Sequence, residues 1–201
     1  FRVIFRSTTP PASGLYWRGP VLWHYDGRTW RTESRPQALA RTSLKAINPP
    51  VEYTVTLEPH NRRWLFMLEL PVTLPGIGML TTDYQYLASR SVRQRLRYDA
   101  ASSLAYHESG ALDAHTRQRA LQLPMLGNRR TRALAEQWRS ETNDAQQLVQ
   151  RALAMYNADF TYTMTPPLLG ANAVDGFLFD TRQGFCEHYA GSFVFLMRAA
   201  G

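Results

Sequence analysis

The 201-residue sequence predicts an α+β protein, in which an antiparallel β domain over residues 1–105 is followed by a helix-rich segment over residues 106–201. Three observations indicate this. Short runs with the two-residue alternation of strands fill the first hundred residues, and turns rich in Pro, Gly, Asn and Asp separate them. No convincing helical pattern begins before about residue 113. Beyond that point, apolar residues recur at the spacing of amphipathic helices.

The β domain contains one unambiguous strand pattern and several weaker ones. Residues 51–58 alternate apolar and polar throughout, which predicts a half-buried strand, and further strands are predicted over 62–70, 84–88 and 92–98. Asp26-Gly27 lies between two aromatic-rich runs and predicts a tight hairpin, because a type I′ turn needs a positive φ that glycine accepts. The aromatic residues of this β domain are interpreted as core, with a carbohydrate or peptide groove as the alternative. They include Tyr16, Trp17, Trp23, Tyr25 and Trp30.

Three helices are predicted in the second half. The first spans 112–123 with Asp113 as its cap, and the second begins at Asn128 and continues to about residue 140. Asp144 and Gln147 have the spacing of a capping box for a third helix, whose buried stripe would be Leu148, Ala152 and Tyr156. Residues 159–164 then alternate again and predict an extended segment.

Composition narrows the classes of function. The net charge is +7, and Arg93, Arg95 and Arg97 alternate with apolar residues, which indicates a solvated strand face or, alternatively, attraction to anionic lipid headgroups or cell-wall polymers. Nucleic acid is not an expected partner, because no known nucleic-acid-binding pattern accompanies the scattered arginines. The sequence has no HExxH, CxxC or GxGxxG spacing, so neither a metal nor a cofactor is expected. No apolar run reaches the roughly 20 residues of a membrane helix.

The last eighteen residues, 184–201, predict a buried helix that contains the only cysteine, Cys186. Gly184 can adopt backbone angles that other residues cannot, so it is expected to break the chain just before the helix. This would place Cys186 in the first helical turn. A free cysteine is only about 3% thiolate at neutral pH, so a nucleophile needs a helix N-terminus or an imidazolium nearby. A small buried hydrophobic role is the alternative on position alone. His188 would point about 200° around the helix from Cys186, which predicts a packing role and not that of a base.

The segment Gly184-Phe-Cys-Glu-His-Tyr-Ala190 resembles the nucleophile segment of transglutaminase-like proteins of the bacterial inner-membrane TgpA type. Residues 15–30, 160–164 and 174–182 also resemble that family, in the family's order. The resemblance implies that residues 106–201 form the helical first part of a papain-like or transglutaminase-like cysteine domain, with Cys186 as nucleophile. Residues around it that would support its action are Gln183, Gly184, Glu187 and His188. Gln183 would do so as an oxyanion donor, although its spacing from the cysteine differs from that in papain-like enzymes.

The family implies cysteine-dependent acyl transfer from a glutamine carboxamide to a lysine amine through a thioester. Its catalytic His and Asp follow the cysteine, so this chain is expected to be a periplasmic domain truncated after the cysteine helix and inactive alone. Membrane helices are expected outside it, at the periplasmic face of the bacterial inner membrane, and the expected partner is a protein or peptide substrate in the cell envelope. The alternatives are a cysteine protease or amidase acting on cell-wall or envelope peptides, and a non-catalytic envelope-binding module.

Overall fold

The computed structural model describes residues 1–6, 8–32, 36–39, 44–108 and 112–201. The chain forms two compact units. The first comprises residues 1–22 and 32–111 and is called the β unit here; the second comprises residues 23–31 and 112–201 and is called the helical unit. The protein is α+β, with a strand-rich first half followed by helices, as the sequence predicts.

Thirteen short strands and one 3-10 turn (Ala12–Gly14) precede the first α-helix in the described part of the chain. The strands are β1 (Arg2–Phe5), β2 (Trp17–Arg18), β3 (Leu22–Tyr25), β4 (Trp30–Thr32), β5 (Leu44–Ala46), β6 (Val51–Leu57), β7 (Trp64–Leu65), β8 (Met67–Leu68), β9 (Leu70–Thr73), β10 (Gly78–Leu80), β11 (Tyr86–Ala88), β12 (Leu96–Ser103) and β13 (Tyr106–Glu108).

An antiparallel sheet of order β1-β6-β12-β9 is the centre of the β unit. The pairing places Tyr53 opposite Ala100 and Val55 opposite Tyr98, so alternate residues of both strands are buried on one face. The Tyr53 hydroxyl lies 2.8 Å from the Ser102 hydroxyl and accepts a hydrogen bond from the N–H of Leu68. These contacts confirm the strand predicted over 51–58, which ends at Leu57.

The predicted strand over 92–98 is wrong in its bounds, because β12 begins only at Leu96 and continues to Ser103. The Val92 backbone hydrogen-bonds to the loop at residues 60–62 and not to a neighbouring strand. Its N–H donates to the Arg62 carbonyl, and its carbonyl accepts from the N–H groups of His60 and Asn61. Residues 93 and 95 therefore precede the strand, and the proposed basic strand face does not form. The predicted segment 62–70 is divided among β7, β8 and the start of β9.

The helical unit contains α1 (Ala114–Ala120), α2 (Arg129–Glu141), α3 (Ala145–Asp159), the single turn α4 (Ala173–Asp175), a π-helix (Gly176–Thr181) and α5 (Cys186–Ala200), with two short strands, β14 (Thr161–Tyr162) and β15 (Gln183–Gly184). Its core includes the predicted stripe of α3. The buried core residues are Tyr25, Ala135, Trp138, Leu148, Ala152, Tyr156, Val174, Phe177, Leu178, Phe195, Leu196 and Ala200. Among the described residues, no helix is long and apolar enough to cross a membrane.

Two of the three predicted N-cap residues cap their helices in the structure. Asp113 accepts a hydrogen bond from the Thr116 N–H at 2.9 Å, and Asp144 accepts one from the Gln146 N–H at 2.8 Å, as expected of N-cap residues. The capping box at Asp144 is absent, because the Gln147 side chain hydrogen-bonds the Thr142 hydroxyl instead. Asn128 occupies the N-cap position of α2 but makes no side-chain cap; its Oδ1 accepts from the Asp175 N–H.

The hairpin of β3 and β4 is longer than predicted. Residues 26–29 connect the strands, and the Asp26 carboxylate closes the loop by accepting from the N–H groups of Arg28 and Thr29 at 2.9 and 2.8 Å. The predicted two-residue turn is therefore wrong, although Gly27 does have the expected positive φ, at 105°. Residues 23–31 pack with the helices, and the predicted domain boundary near residue 105 stays a prediction.

The prediction that the aromatic residues of the β domain are core is confirmed for Tyr25 but wrong for Tyr16, which is exposed.

Candidate active site

The start of α5 is fixed by the strand before it. β15 pairs in parallel with β14, and the Arg182 and Gly184 carbonyls accept hydrogen bonds from the N–H groups of Thr161 and Thr163, both at 2.9 Å. Arg182 has a left-handed backbone, with φ at 51°, and turns the chain out of the π-helix into this strand. The backbone is thus held extended up to the residue before the helix cap.

Gly184 is required at this junction for space. A Cβ at position 184 would lie 2.7 Å from His188 Cβ, 2.8 Å from His188 Cγ and 2.8 Å from Phe177 Cε2. The expected reason, a backbone conformation closed to other residues, is wrong, because the positive-φ glycines of the described chain are Gly27, Gly127 and Gly201. The small residue instead lets strand β15 approach the first turn of α5.

Cys186 is the first residue of α5, and it is exposed, so the buried hydrophobic role is wrong. The N–H groups of His188 and Tyr189 donate to the Phe185 carbonyl. No hydrogen bond from the N–H groups of Cys186 or Glu187 is found in the part of the chain that the structure describes. The sulfur atom therefore lies beside two open donors at the positive end of a 15-residue helix.

His188 ties the first turn of α5 to the cap residue. Its Nδ1 accepts a hydrogen bond from the Phe185 N–H at 3.4 Å, and its ring packs edge-on against the Phe185 ring, 4.5 Å between centroids. An accepting Nδ1 places the proton of the neutral ring on Nε2. Glu187 and Gln183 are both exposed, on α5 and β15 respectively. Their roles in the site stay predictions.

An aromatic cluster supports the cysteine end of the helix from below. Tyr189 lies one turn after the cap, and its ring centroid is 5.2 Å from that of Phe177, 5.4 Å from Tyr156, 6.0 Å from Tyr162 and 6.1 Å from Phe160. Contacts of this size between rings fix orientation as well as burying area. The cluster makes the first turn a rigid base for the thiol.

The hydroxyl groups of Tyr156 and Tyr189 in this cluster are poor bases at neutral pH. Burial raises the pKa of Tyr156 to about 12, although its hydrogen bond to Ser192 opposes the shift. Burial also raises the pKa of Tyr189, with the nearby Tyr162 adding to it. Both groups stay protonated, so their function here is structural.

A cleft of about 290 Å³ borders the same helix but does not include Cys186. Trp30, Phe177, Glu187 and Gly191 are among its lining residues. Because successive helical residues are about 100° apart, Glu187 and Gly191 lie on the face away from Cys186. The thiol is open to solvent on its own face of α5. No cluster of ligating side chains that would hold a metal occurs among the described residues.

Sequence reasoning located the cysteine but missed two residues that position it. Phe177, buried at the centre of the aromatic cluster, and Asp175, which caps α2, both lie in the segment 174–182 that resembles the family. The only signal for either was that resemblance, since the π-helix that places Phe177 has no simple apolar period.

Comparisons with known proteins agree along the whole chain. Residues 1–108 match the family described as the TgpA N-terminal domain, and residues 132–201 match the transglutaminase-like superfamily. A protein-glutamine gamma-glutamyltransferase of Pseudomonas aeruginosa is 41% identical over 204 residues, which cover all of this chain and 30% of that protein. The chain therefore spans less than a third of that relative's length.

Two crystal structures of the periplasmic domain of TgpA from Pseudomonas aeruginosa have the same fold. The ethylmercury-bound form superposes with a TM-score of 0.91 at 40% identity and covers 99% of this chain and 71% of that one. The other form gives a TM-score of 0.93 at 39% identity, with 99% and 69% covered. With a family match over more than half of its length, the chain belongs to the TgpA family of transglutaminase-like proteins.

Proposed function

We propose that Cys186 is the nucleophile of an acyl transfer from a glutamine carboxamide to a lysine amine. The observation that carries this proposal is the position of the single thiol, exposed at the first residue of α5 beside open backbone donors. Membership of the family supports the reaction class, as does the relative named a protein-glutamine gamma-glutamyltransferase.

The proposed reaction has two steps. The Cys186 thiolate attacks the carboxamide carbon, a C–S bond forms, the C–N bond breaks, and the nitrogen leaves as ammonia after taking up a proton. The neutral lysine amine then attacks the thioester carbon: the isopeptide C–N bond forms, the C–S bond breaks to return the sulfur as thiolate, and the amine gives up one proton to the general base. The Cys186 N–H is placed to donate to the oxyanion of both tetrahedral intermediates, an interaction whose loss typically costs about 10² to 10³ in rate.

The general base of this reaction is proposed to lie outside the 201 residues. No hydrogen bond joins the Cys186 thiol to an imidazole within the described ranges, and His188 Nδ1 is engaged with the Phe185 N–H. We expect these 201 residues alone to show no amine incorporation, because the described residues supply the nucleophile and an oxyanion donor but no base hydrogen-bonded to the thiol.

The proposed setting is the periplasmic face of the bacterial inner membrane, with an envelope protein or peptide as substrate. The support for it is that the crystallised TgpA domain, of which this chain covers about 70%, is described as periplasmic.

The test is incorporation of a fluorescent primary amine into a glutamine-containing protein by the full-length protein that contains this chain. Cys186→Ala is expected to lower the rate at least about 10³-fold, since nothing replaces the nucleophile. The matched control combines Cys186→Ala with Ser140→Cys, which moves the one thiol of these 201 residues to an exposed site on α2.

Retained incorporation in Cys186→Ala, or recovery in the double variant, would reject the assignment. Ammonia release that depends on Cys186 without amine incorporation would instead indicate hydrolysis, the reaction of an amidase, and would overturn the choice of acceptor.

A further inference from the structure

A second cavity lies entirely within the β unit, far along the sequence from Cys186. It has a volume of about 330 Å³, and its wall includes the loop around residues 61–64 and the turn around residues 81–85. Its lining residues include Asn61, Arg62, Trp64, Thr81 and Gln85. The volume is at the small end of ligand sites, which commonly measure about 300–1,000 Å³.

Gln85 is the unusual residue of this cavity. Its side chain is buried, with only 8% of the residue exposed. Its backbone is satisfied, because the N–H donates to Thr81 Oγ1 and the carbonyl accepts from the Thr81 N–H. The side-chain amide makes no hydrogen bond with any described residue. Because Gln85 lines the cavity, its amide is available to a ligand that supplies a donor and an acceptor.

Two non-glycine residues in the loops around the cavity have left-handed backbones. Asn61 has φ at 58° and Tyr84 at 57°, and each belongs to one of the two loops that form the wall. Asparagine tolerates this region, but for tyrosine it is costly. Strain of this kind persists where surrounding contacts enforce it, commonly at ligand sites. Asn61 itself and Gln85, which directly follows Tyr84, both line the cavity.

The lining determines what chemistry the cavity suits. Trp64, whose ring stacks on His60 at 5.0 Å, supplies an aromatic surface, while Gln85 and Asn61 supply amides that both donate and accept. Arg62 is exposed and makes no ion pair in the described chain. Asp83 also lines the cavity, so the charge is mixed and a polyanion is disfavoured. A small ring with one apolar face and a rim of hydroxyl and amide groups fits this set.

We propose that this cavity binds a pyranose ring that bears an acetamido group, with the ring against Trp64 and the polar rim against Gln85. The proposal does not depend on the acyl-transfer chemistry, because all its residues belong to the other unit. A ligand of about 15 non-hydrogen atoms is expected to bind with a dissociation constant on the order of 1 mM.

The test is an NMR titration of the 201-residue chain with N-acetylglucosamine, which follows the Trp64 indole N–H and the Gln85 side-chain amide. Both signals are expected to shift and saturate. Gln85→Leu keeps the side chain's size but removes the amide, so it should weaken binding at least about tenfold while leaving the melting temperature unchanged or higher. Gln94→Leu, an exposed glutamine of the same unit outside this cavity, is the matched control and should bind as the wild type does.

The proposal is overturned if neither signal moves up to about 50 mM sugar, well above the expected dissociation constant. It is also overturned if Gln85→Leu binds as tightly as the wild type. A parallel titration with sodium sulfate tests for simple anion binding. If sulfate shifts the Trp64 and Gln85 NMR signals as much as the sugar does, the cavity is an anion site at Arg62 and the sugar proposal is overturned.

Discussion

At the scale of single residues, Gly184 controls the junction that presents Cys186. Gly184→Ala would force a Cβ to within 2.7–2.8 Å of His188 and of the buried Phe177 ring, and neither can move without shifting the first turn of α5. Overpacking of this kind typically costs about 1–3 kcal/mol, and we expect that loss in the free energy of unfolding measured with urea.

Gly170→Ala is the matched control, because a Cβ at that position meets nothing within 4 Å. Its free energy of unfolding should change by less than about 1 kcal/mol. Equal effects of the two substitutions would show that the close approach at Gly184 is not what restricts this position.

Tyr156 gives the helical unit a defined response to alkali. The pKa of its phenol is raised to about 12 by burial, against about 10 in an unfolded chain. Between these values the unfolded state has lost the proton and the native state has not, so stability falls as pH rises. Comparing urea unfolding at about pH 9 and pH 11, we expect Tyr156→Phe to lose about 1 kcal/mol less than the wild type over that interval. The same loss in both proteins would contradict the raised pKa.

At the scale of elements, α2 is capped by a residue 45 positions further along the chain. Asp175 Oδ1 accepts from the Thr131 N–H at 2.8 Å and from the Thr131 hydroxyl at 2.6 Å, and Oδ2 accepts from the Arg130 N–H at 3.1 Å. The carboxylate thereby satisfies two of the open donors at the helix start and links the segment before α5 to α2.

Asp175→Asn should destabilise the protein by about 1–3 kcal/mol, because an NH₂ group would then face an N–H donor in a buried site. Asp180→Asn is the control: Asp180 pairs with the Arg130 side chain in solvent, where an ion pair contributes at most about 1 kcal/mol. Urea unfolding of both variants checks the difference. A loss at Asp180 as large as at Asp175 would argue against the capping role.

Caps show how far the sequence alone predicts such elements. Asp113 and Asp144 cap their own helices through local hydrogen bonds, and local spacing is sufficient to predict them. The cap of α2 depends on tertiary contact: Asn128 occupies the expected position, but Asp175 supplies the oxygen atoms. The strand at 92–98 fails for the same reason, since the Val92 backbone bonds to a loop thirty residues earlier.

The candidate active site likewise has features that the local sequence predicts and one that depends on tertiary contacts. The helix start, the position of Cys186 in its first turn and the packing role of His188 depend on neighbours within four residues, and the periodicity of 184–201 predicts them. The π-helix that brings Phe177 against Gly184 follows no simple apolar repeat. The steric need for glycine at position 184 is therefore not predictable from the local sequence pattern.

At the scale of the whole molecule, no single boundary in the sequence separates the two units, because each unit contains two separate stretches of the chain. Residues 23–31 precede most of the β unit in sequence but pack into the helical unit. Gln122 exchanges two hydrogen bonds of 3.1 Å with the Tyr25 backbone, and Arg198 donates to the Trp23 carbonyl at 2.8 Å. Only 4% of Tyr25 is exposed, and its ring packs edge-on against Phe195, with 6.0 Å between the ring centroids.

A fragment of residues 106–201 should therefore fail to unfold cooperatively, although it contains every helix of the unit. Tyrosine buries about 150–250 Å², so the loss of Tyr25 alone removes about 4–6 kcal/mol, comparable to the whole stability of a small domain. Thermal melts followed by circular dichroism at the helical band, together with binding of an apolar dye, would measure this. Joining residues 23–31 ahead of residue 112 through a flexible linker should restore the transition and abolish dye binding. If instead fragment 106–201 melts as sharply and at the same temperature as the linked form, the hairpin is not part of the core that holds the cysteine helix.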